Sequence, residues 1–191
     1  MSDATEATSR PDDLITTVLS DHAEITDLFS QVESASGTDA RRDAFGRLVR
    51  KLSVHETAEE EVVHPLLYRA PGGGPVAKAR LEEESKSKEL LSELDKMGVD
   101  HRQFDSTFAR LRSEVLAHAD REEREEHPRL AEAIDEDTLR RLAGVFRTAE
   151  SMAPTRPHPK GPETALGNMI VGPFVGAVDR ARDAIRNFRK R

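Results

Sequence analysis

The chain carries one motif twice, 63 positions apart. Residues 55–65 read HETAEEEVVHP and residues 118–128 read HADREEREEHP, and both fit His-x3-Glu-x4-His-Pro. A second pair of segments starts at His22 and Glu84, 62 positions apart, and each has two large apolar residues six and seven places later. The order is therefore A, B, A′, B′. It predicts four helices that each bring potential metal ligands to one centre, which is how a helical bundle forms a two-metal site.

The composition fits long amphipathic helices. Charged residues make up 34% of the 191 residues and aromatic residues 4%, which suits solvated helices better than a sheet. Cysteine is absent, which excludes disulfides, thiolate metal sites and a thiol nucleophile. The net charge of −7 argues against a nucleic-acid partner, and no apolar run is long enough for a transmembrane segment. We expect a cytoplasmic protein that is a monomer or a weak homodimer.

Helix breakers and composition divide the chain into three parts. Residues 1–11 are polar, and we expect them to be disordered. Residues 12–131 hold the four helices of the predicted bundle. Residues 132–191 are predicted to be a helical extension, which a proline-rich connector at 153–162 interrupts.

The extension has an apolar stripe at its end. A short helix is predicted over 135–150, and residues 173–191 space their apolar side chains along one face among arginines. Such a face is expected to dock on the bundle, to pair with a second chain, or to attach weakly to an anionic membrane.

The spacing of the repeated motif puts its first histidine and its glutamate on one helix face. Four residues turn a helix by about 400°, so His55 and Glu59 lie about 40° apart, as do His118 and Glu122. Apolar residues at helical spacing flank both pairs, so these faces are predicted to be buried, where an unpaired carboxylate is costly and a metal removes the cost. Imidazole with carboxylate suits iron, manganese or zinc.

The first and third helices complete the donor set. His22 lies on the apolar side of its helix, and Glu84 takes the matching place in the third helix beside Leu81. The predicted metal ligands are three imidazoles and three carboxylates: His22, His55, Glu59, Glu84, His118 and Glu122. Glu59 and Glu122, one from each motif, are the natural bridges between two ions.

The second histidine of each motif has two interpretations. His64 and His127 stand nine residues after the first, about 900° further on, which points to the opposite side of a regular helix. There they would cap or pair locally. A kink at Pro65 or Pro128 could instead turn them inward to gate the pocket, donate protons or supply a late ligand. Glu56 is a further candidate ligand if it reaches round the helix, and the other acids of these runs are predicted to be mostly solvated.

Together these residues resemble the hemerythrin HHE cation-binding family, and more narrowly actinobacterial hemerythrin-like proteins: His22 with Ile25 and Leu28, His55-Glu56 with Glu59 and Pro65, and His118-x3-Glu122. The resemblance covers residues 12–131. It implies an all-α, up-down-up-down four-helix bundle around two non-haem iron ions with an oxo or carboxylate bridge, and O2 or H2O2 as the small-molecule ligand. The family usually has His where this chain has Glu84, and Lys88 stands where oxygen carriers have a second His. Because carboxylates favour ferric iron, oxidative chemistry is expected over reversible oxygen carriage.

Three functions remain open at this point. The favoured one is a hemerythrin-like non-haem di-iron protein that reacts with or senses oxygen or hydrogen peroxide, including catalase-like peroxide decomposition. The second is a metal-binding bundle for iron or oxygen sensing or storage, without turnover. The third is a metal-free helical interaction module that uses the basic C-terminal stripe.

Overall fold

The computed structural model describes residues 12–157, and all regular structure in that range is helical. The helices are α1 (Leu14–Ser34), α2 (Thr38–Ala58), α3 (His64–Leu67), α4 (Gly73–Met97), α5 (Phe104–Glu125), α6 (His127–Ala133) and α7 (Glu136–Met152). A π-helical turn, Glu59–Val63, joins α2 directly to α3. None of the helices within residues 12–157 is long and apolar enough to cross a membrane. The predictions for residues 1–11 and 173–191 fall outside the described residues.

Four long helices form an up-down-up-down bundle, which confirms the all-α fold predicted from the sequence. α1 packs along α2 and α4 packs along α5, and contacts of α1 with α5 and of α2 with α4 close the bundle. Short connections make sequential helices antiparallel. α7, which corresponds to the short helix predicted over 135–150, packs outside the bundle against α1 and α2.

Local signals set the helix ends. Asp13 caps α1, because its side chain accepts a hydrogen bond from the N–H of Thr16 at 2.8 Å while its own N–H donates to the Thr16 hydroxyl at 2.9 Å. Gly98, at φ 74°, ends α4 in a conformation that favours glycine. Gly73 starts α4 in close contact with α3, since a Cβ there would lie 1.9 Å from the carbonyl oxygen of Leu67.

The π-helical turn has a local cause in Pro65. Proline has no N–H to donate to the carbonyl of Glu61, and its ring would clash with that carbonyl in a regular helix. The preceding turn is wider, and the N–H of His64 donates to the carbonyl of Glu59, five residues back. This turn contains one residue more than a regular helical turn, which reduces the rotation about the helix axis between His55 and His64 by about 100°. His64 therefore lies about 80° from His55 around the axis instead of about 180°.

The apolar core consists of two clusters with a polar layer between them. One cluster includes Val18, Val62, Leu66, Leu130 and Phe146. The other includes Ile25, Leu52, Leu91, Phe108 and Val115. On α1, Val18 belongs to the first cluster and Ile25 to the second, and His22 lies between them. The four long helices therefore meet in a layer that apolar packing encloses above and below.

Candidate metal centre

All six residues predicted as metal ligands lie in this polar layer, and each residue is at most 7% exposed. Their donor atoms form two groups, within which the atoms lie no more than 4.8 Å apart. One group is His22, His55 and Glu59, and the other is Glu59, Glu84, His118 and Glu122. Glu59 belongs to both groups.

Glu59 and Glu122 occupy the centre of the layer. Oε2 of Glu122 lies 3.3 Å from Nε2 of His22, and its Oε1 lies 3.0 Å from Nε2 of His118. Nε2 of His55 lies 3.3 Å from Oε2 of Glu59. Each of these imidazoles therefore directs Nε2 toward a central carboxylate, which leaves Nδ1 facing outward.

A carboxylate that the sequence analysis did not identify lies against each outward Nδ1. The pairs are Asp21 with His55 at 3.2 Å, Glu83 with His118 at 3.0 Å, and Glu123 with His22 at 3.0 Å. A ring that donates from Nδ1 keeps Nε2 free as a ligand atom, and outer carboxylates commonly orient metal-binding histidines in this way. In each of these histidines Nδ1 therefore carries a proton, whether the ring is neutral or charged, and Nε2 points toward the centre.

Buried cations stabilise two of these outer carboxylates. Lys51 donates to Asp21 at 2.6 Å, and Arg80 donates to Glu83 at 3.0 Å. Arg80 is 4% exposed and precedes Glu84 on the inner face of α4, whereas Leu81 is 41% exposed. The expectation that Leu81 flanks Glu84 in the core was therefore wrong. A charged residue, Arg80, lies on the inner face of α4 instead.

His64 and His127 both face the polar layer, so the regular-helix interpretation of these residues was wrong. His64 is 3% exposed, and its Nε2 is hydrogen-bonded to Oε1 of Glu84. The ring of His127 stacks on that of His22, with 6.1 Å between centroids. Each late histidine thus contacts the donor at the start of the other half of the repeat.

The difference between those two partners sets the charge of each late histidine. Burial lowers the pKa of His64, but the negative charge of Glu84 outweighs burial and raises that pKa to about 9. Burial and then repulsion from His22 lower the pKa of His127 to about 4. The repeat therefore produces a charged imidazole beside one half of the layer and a neutral imidazole beside the other.

The donor set has the features of a cation site. Among the described residues, buried atoms without a hydrogen-bond partner concentrate here: Nε2 of His22 and His118, Oε2 of Glu59 and Glu84, and both side-chain oxygens of Glu122. Burial, followed by repulsion from Glu122, raises the pKa of Glu59 well above its usual value. A cation would accept these atoms as ligands and cancel the repulsion, so the residues fit a metal centre.

Other charged groups surround the layer. Glu126 is 1% exposed, so it is an exception to the prediction that the other acids of these runs are mostly solvated. Glu56 is 4% exposed but belongs to neither donor group. The ammonium of Lys88, a residue at which the sequence departs from the resemblance, contacts Glu60 and lies 3.8 Å from Oε2 of Glu84. His101 is exposed and lies apart from the layer.

Comparisons with known proteins agree with this architecture. The chain is 24% identical over 173 residues to an uncharacterized hemerythrin-like protein of Schizosaccharomyces pombe, a match that covers 90% of this chain and 85% of the relative. It is 24% identical over 131 residues to a DNA nickase of Nostoc sp., which covers 69% of this chain and 37% of the relative. The crystal structure of a hemerythrin HHE cation binding domain-containing protein from Mycobacterium kansasii has the same fold. Its TM-score is 0.66 at 18% identity, and the alignment covers 88% of this chain and 98% of that one.

The family match covers the four bundle helices and the polar layer described above. The sequence model described as Hemerythrin HHE cation binding domain matches residues 13–130. The chain belongs to the hemerythrin HHE cation-binding family.

Proposed function

We propose that this protein binds two iron ions in the polar layer and uses them to react with hydrogen peroxide or dioxygen. The observation that carries this proposal is that Glu59 belongs to two groups of donor atoms. Two ions that share a carboxylate lie close enough together to act on one small molecule. The burial of both groups keeps bulk water away from that molecule.

The ligands follow from the donor groups. His22, His55 and Glu59 would hold one ion, and Glu59, Glu84, His118 and Glu122 would hold the other. Glu122 presents one oxygen to an imidazole of each group, so it is the second bridge in this proposal.

The donor chemistry favours a redox-active ion. Imidazole and carboxylate ligands suit iron, manganese and zinc, and a high share of carboxylate favours ferric over ferrous iron. Bound iron would supply the electron exchange that peroxide or dioxygen reduction needs. The chain's own part is to hold Nε2 of each histidine toward the centre through its Nδ1 contact with an outer carboxylate.

A small cavity beside the layer suits a substrate of this size. Its volume is about 20 Å³, room for about one water-sized molecule. Five polar residues and five apolar residues line it: His22, His55, Glu56, Glu59 and His118, and Ile25, Leu52, Val115, Leu116 and Ala119. Hydrogen peroxide and dioxygen, with two heavy atoms each, are close to this size, whereas organic substrates are much larger.

We do not propose for this chain the activity that the Nostoc relative is named for. The match covers 37% of that protein, and the net charge of −7 disfavours a backbone-binding surface for nucleic acid. We therefore retain the expectation that nucleic acid is not a partner.

Metal analysis together with oxygen release tests the proposal. Purified protein should contain about two irons per chain and should release oxygen from added hydrogen peroxide. His118→Ala should reduce both, and the exposed His101→Ala variant serves as its matched control. Iron without oxygen release would support storage or sensing instead. Protein that takes up no metal under any condition would refute the proposal and leave the interaction module.

A further inference from the structure

α7 lies outside residues 13–130, the part of the chain that the family match covers, yet it reaches the polar layer. Phe146 on α7 is fully buried, and its ring lies 6.1 Å from the ring of His55. One turn later on the same helix, Glu150 turns toward α2 and accepts a hydrogen bond from Lys51 at 3.0 Å. α7 therefore packs against one side of the centre with an apolar residue, Phe146, and a charged residue, Glu150.

A continuous set of polar contacts connects Glu150 to His55. Lys51 is 14% exposed along its side chain and donates to Glu150 and, at 2.6 Å, to Oδ1 of Asp21. Oδ2 of Asp21 lies 3.2 Å from Nδ1 of His55. Glu150 belongs to α7, Lys51 and His55 belong to α2, and Asp21 belongs to α1. The contacts therefore join three helices.

The acids of this cluster have a spacing that could suit a cation. Donor atoms of Asp21, His55 and Glu150 lie within 4.8 Å of one another. The ammonium of Lys51 already lies against both carboxylates and balances their charge. The cluster is therefore a salt-bridged support for His55 and not a third ion site.

Within residues 12–157, the opposite half of the centre has no such external support. The carboxylate that contacts His118 is Glu83, and its cationic partners Arg80 and Arg121 come from α4 and α5. Both helices belong to the bundle itself. A change in α7 should therefore alter one histidine and leave the other unchanged.

We propose that α7 supports the metal centre. Its residue Glu150 fixes the tautomer and orientation of His55 through Lys51 and Asp21. Glu150, Lys51 and Asp21 are positioning residues. The exposed Glu24 also lies 3.3 Å from Lys51, so without the charge of Glu150 the ammonium is drawn toward Glu24 and away from its buried position. The effect on metal retention rests on the proposed function, in which His55 is a ligand.

The first experiment records ring ¹⁵N shifts of the histidines in metal-free protein. His55 should be a single Nδ1–H tautomer in the wild type and a mixture in Glu150→Gln and Lys51→Met, while His118 stays unchanged. Glu136→Gln is the matched control, because it removes one exposed negative charge from the same helix. A melting curve for each variant confirms that it is folded.

The second experiment follows the release of ferrous iron to a chelator. One of the two ions should leave at least about threefold faster in Glu150→Gln, and about 10- to 100-fold faster in Asp21→Asn, the range usual for partners of metal-binding histidines. Wild-type tautomers together with wild-type release in Glu150→Gln and Lys51→Met would overturn the proposal. If the wild type retains no iron, the proposed function fails, and the ring ¹⁵N shifts still decide the role of α7.

Discussion

Glu56 should make the metal-free protein less stable as the pH rises. Its side chain is 4% exposed, and its Oε2 has no hydrogen-bond partner. Burial raises the pKa of Glu56 from 4.5 to about 8, and attraction to Lys88 does not offset burial. The folded protein thus keeps this proton up to about pH 8, whereas the unfolded chain releases it near pH 4.5. Between those values the unfolded state binds fewer protons, so the free energy of unfolding falls as the pH rises.

The size of this effect follows from the same pKa values. From pH 4.5 to pH 7 is about 2.5 pH units, each worth about 1.4 kcal/mol, so the neutral-pH penalty is about 3 kcal/mol. Glu56→Gln keeps the shape of the side chain and removes its titration. At pH 7 the metal-free variant should therefore be about 3 kcal/mol more stable than the wild type, and near pH 4.5 the two should be almost equal.

Urea unfolding of chelator-treated protein at several pH values between 5 and 8 measures this difference. The exposed Glu89→Gln variant is the matched control and should show little change across the range. A stability gain for Glu56→Gln that stays constant or shrinks with rising pH would refute the reasoning, because only a titrating buried carboxyl produces a gain that grows.

Three further predictions concern the centre and its surroundings. Glu59→Ala should remove both metal ions together, which metal analysis would show; retention of one full equivalent would contradict its bridging role. Gly73→Ala should lower the free energy of unfolding by about 1–3 kcal/mol because its Cβ would overlap the carbonyl of Leu67. Gly74→Ala, whose Cβ would meet nothing closer than 3.7 Å, should be tolerated in the same urea titration. Ala119→Leu should fill much of the cavity and slow peroxide loss about tenfold or more at unchanged metal content, and an unchanged rate would exclude the cavity as the substrate site.

The sequence was sufficient to predict the bundle and the six candidate donor residues that lie together at its centre. Helical spacing alone puts His55 and Glu59 on one face, and the apolar residues around them show which face is inside. The position of Glu84 followed from its distance to His22 along the repeat. These inferences needed only regular helical geometry, which holds over the parts of the helices concerned.

The orientations of His64 and His127 were not predicted because the helices are irregular before both residues. His64 turns inward because a wide turn precedes Pro65, and the proline indicated a kink without indicating its direction. His127 likewise follows a break at Glu126, between α5 and α6. The inward rotation depends on which carbonyls lose their donors and on packing from other helices, and neither can be read from helical periodicity.

The sequence contains a signal for two of the three outer carboxylates. Asp21 and Glu83 directly precede the donors of the first and third helices and occupy equivalent positions in the repeat. Each contacts the first histidine of the next motif. Extending the comparison of the repeats by one residue would have identified both. Glu150 had no such signal, since α7 has no counterpart in the repeat and its contact with Lys51 depends on tertiary packing.

The division of the apolar core into two clusters also bears on how a metal could enter a buried centre. α1 and α4 contribute residues to both apolar clusters, and α2 and α5 reach the first cluster together with the π-helical turn, α3 and α6 that continue them. Between the clusters the four long helices cross a layer rich in unpaired polar atoms. Without metal, the opening fluctuation that costs the least free energy is a local separation of the helices at that layer, while both apolar clusters stay packed. Amide hydrogen exchange in the metal-free protein should accordingly be fastest, within the long helices, around residues 55–60 and 118–122. Ions can then load through breathing of the middle of the bundle, at a rate that does not require the protein to unfold.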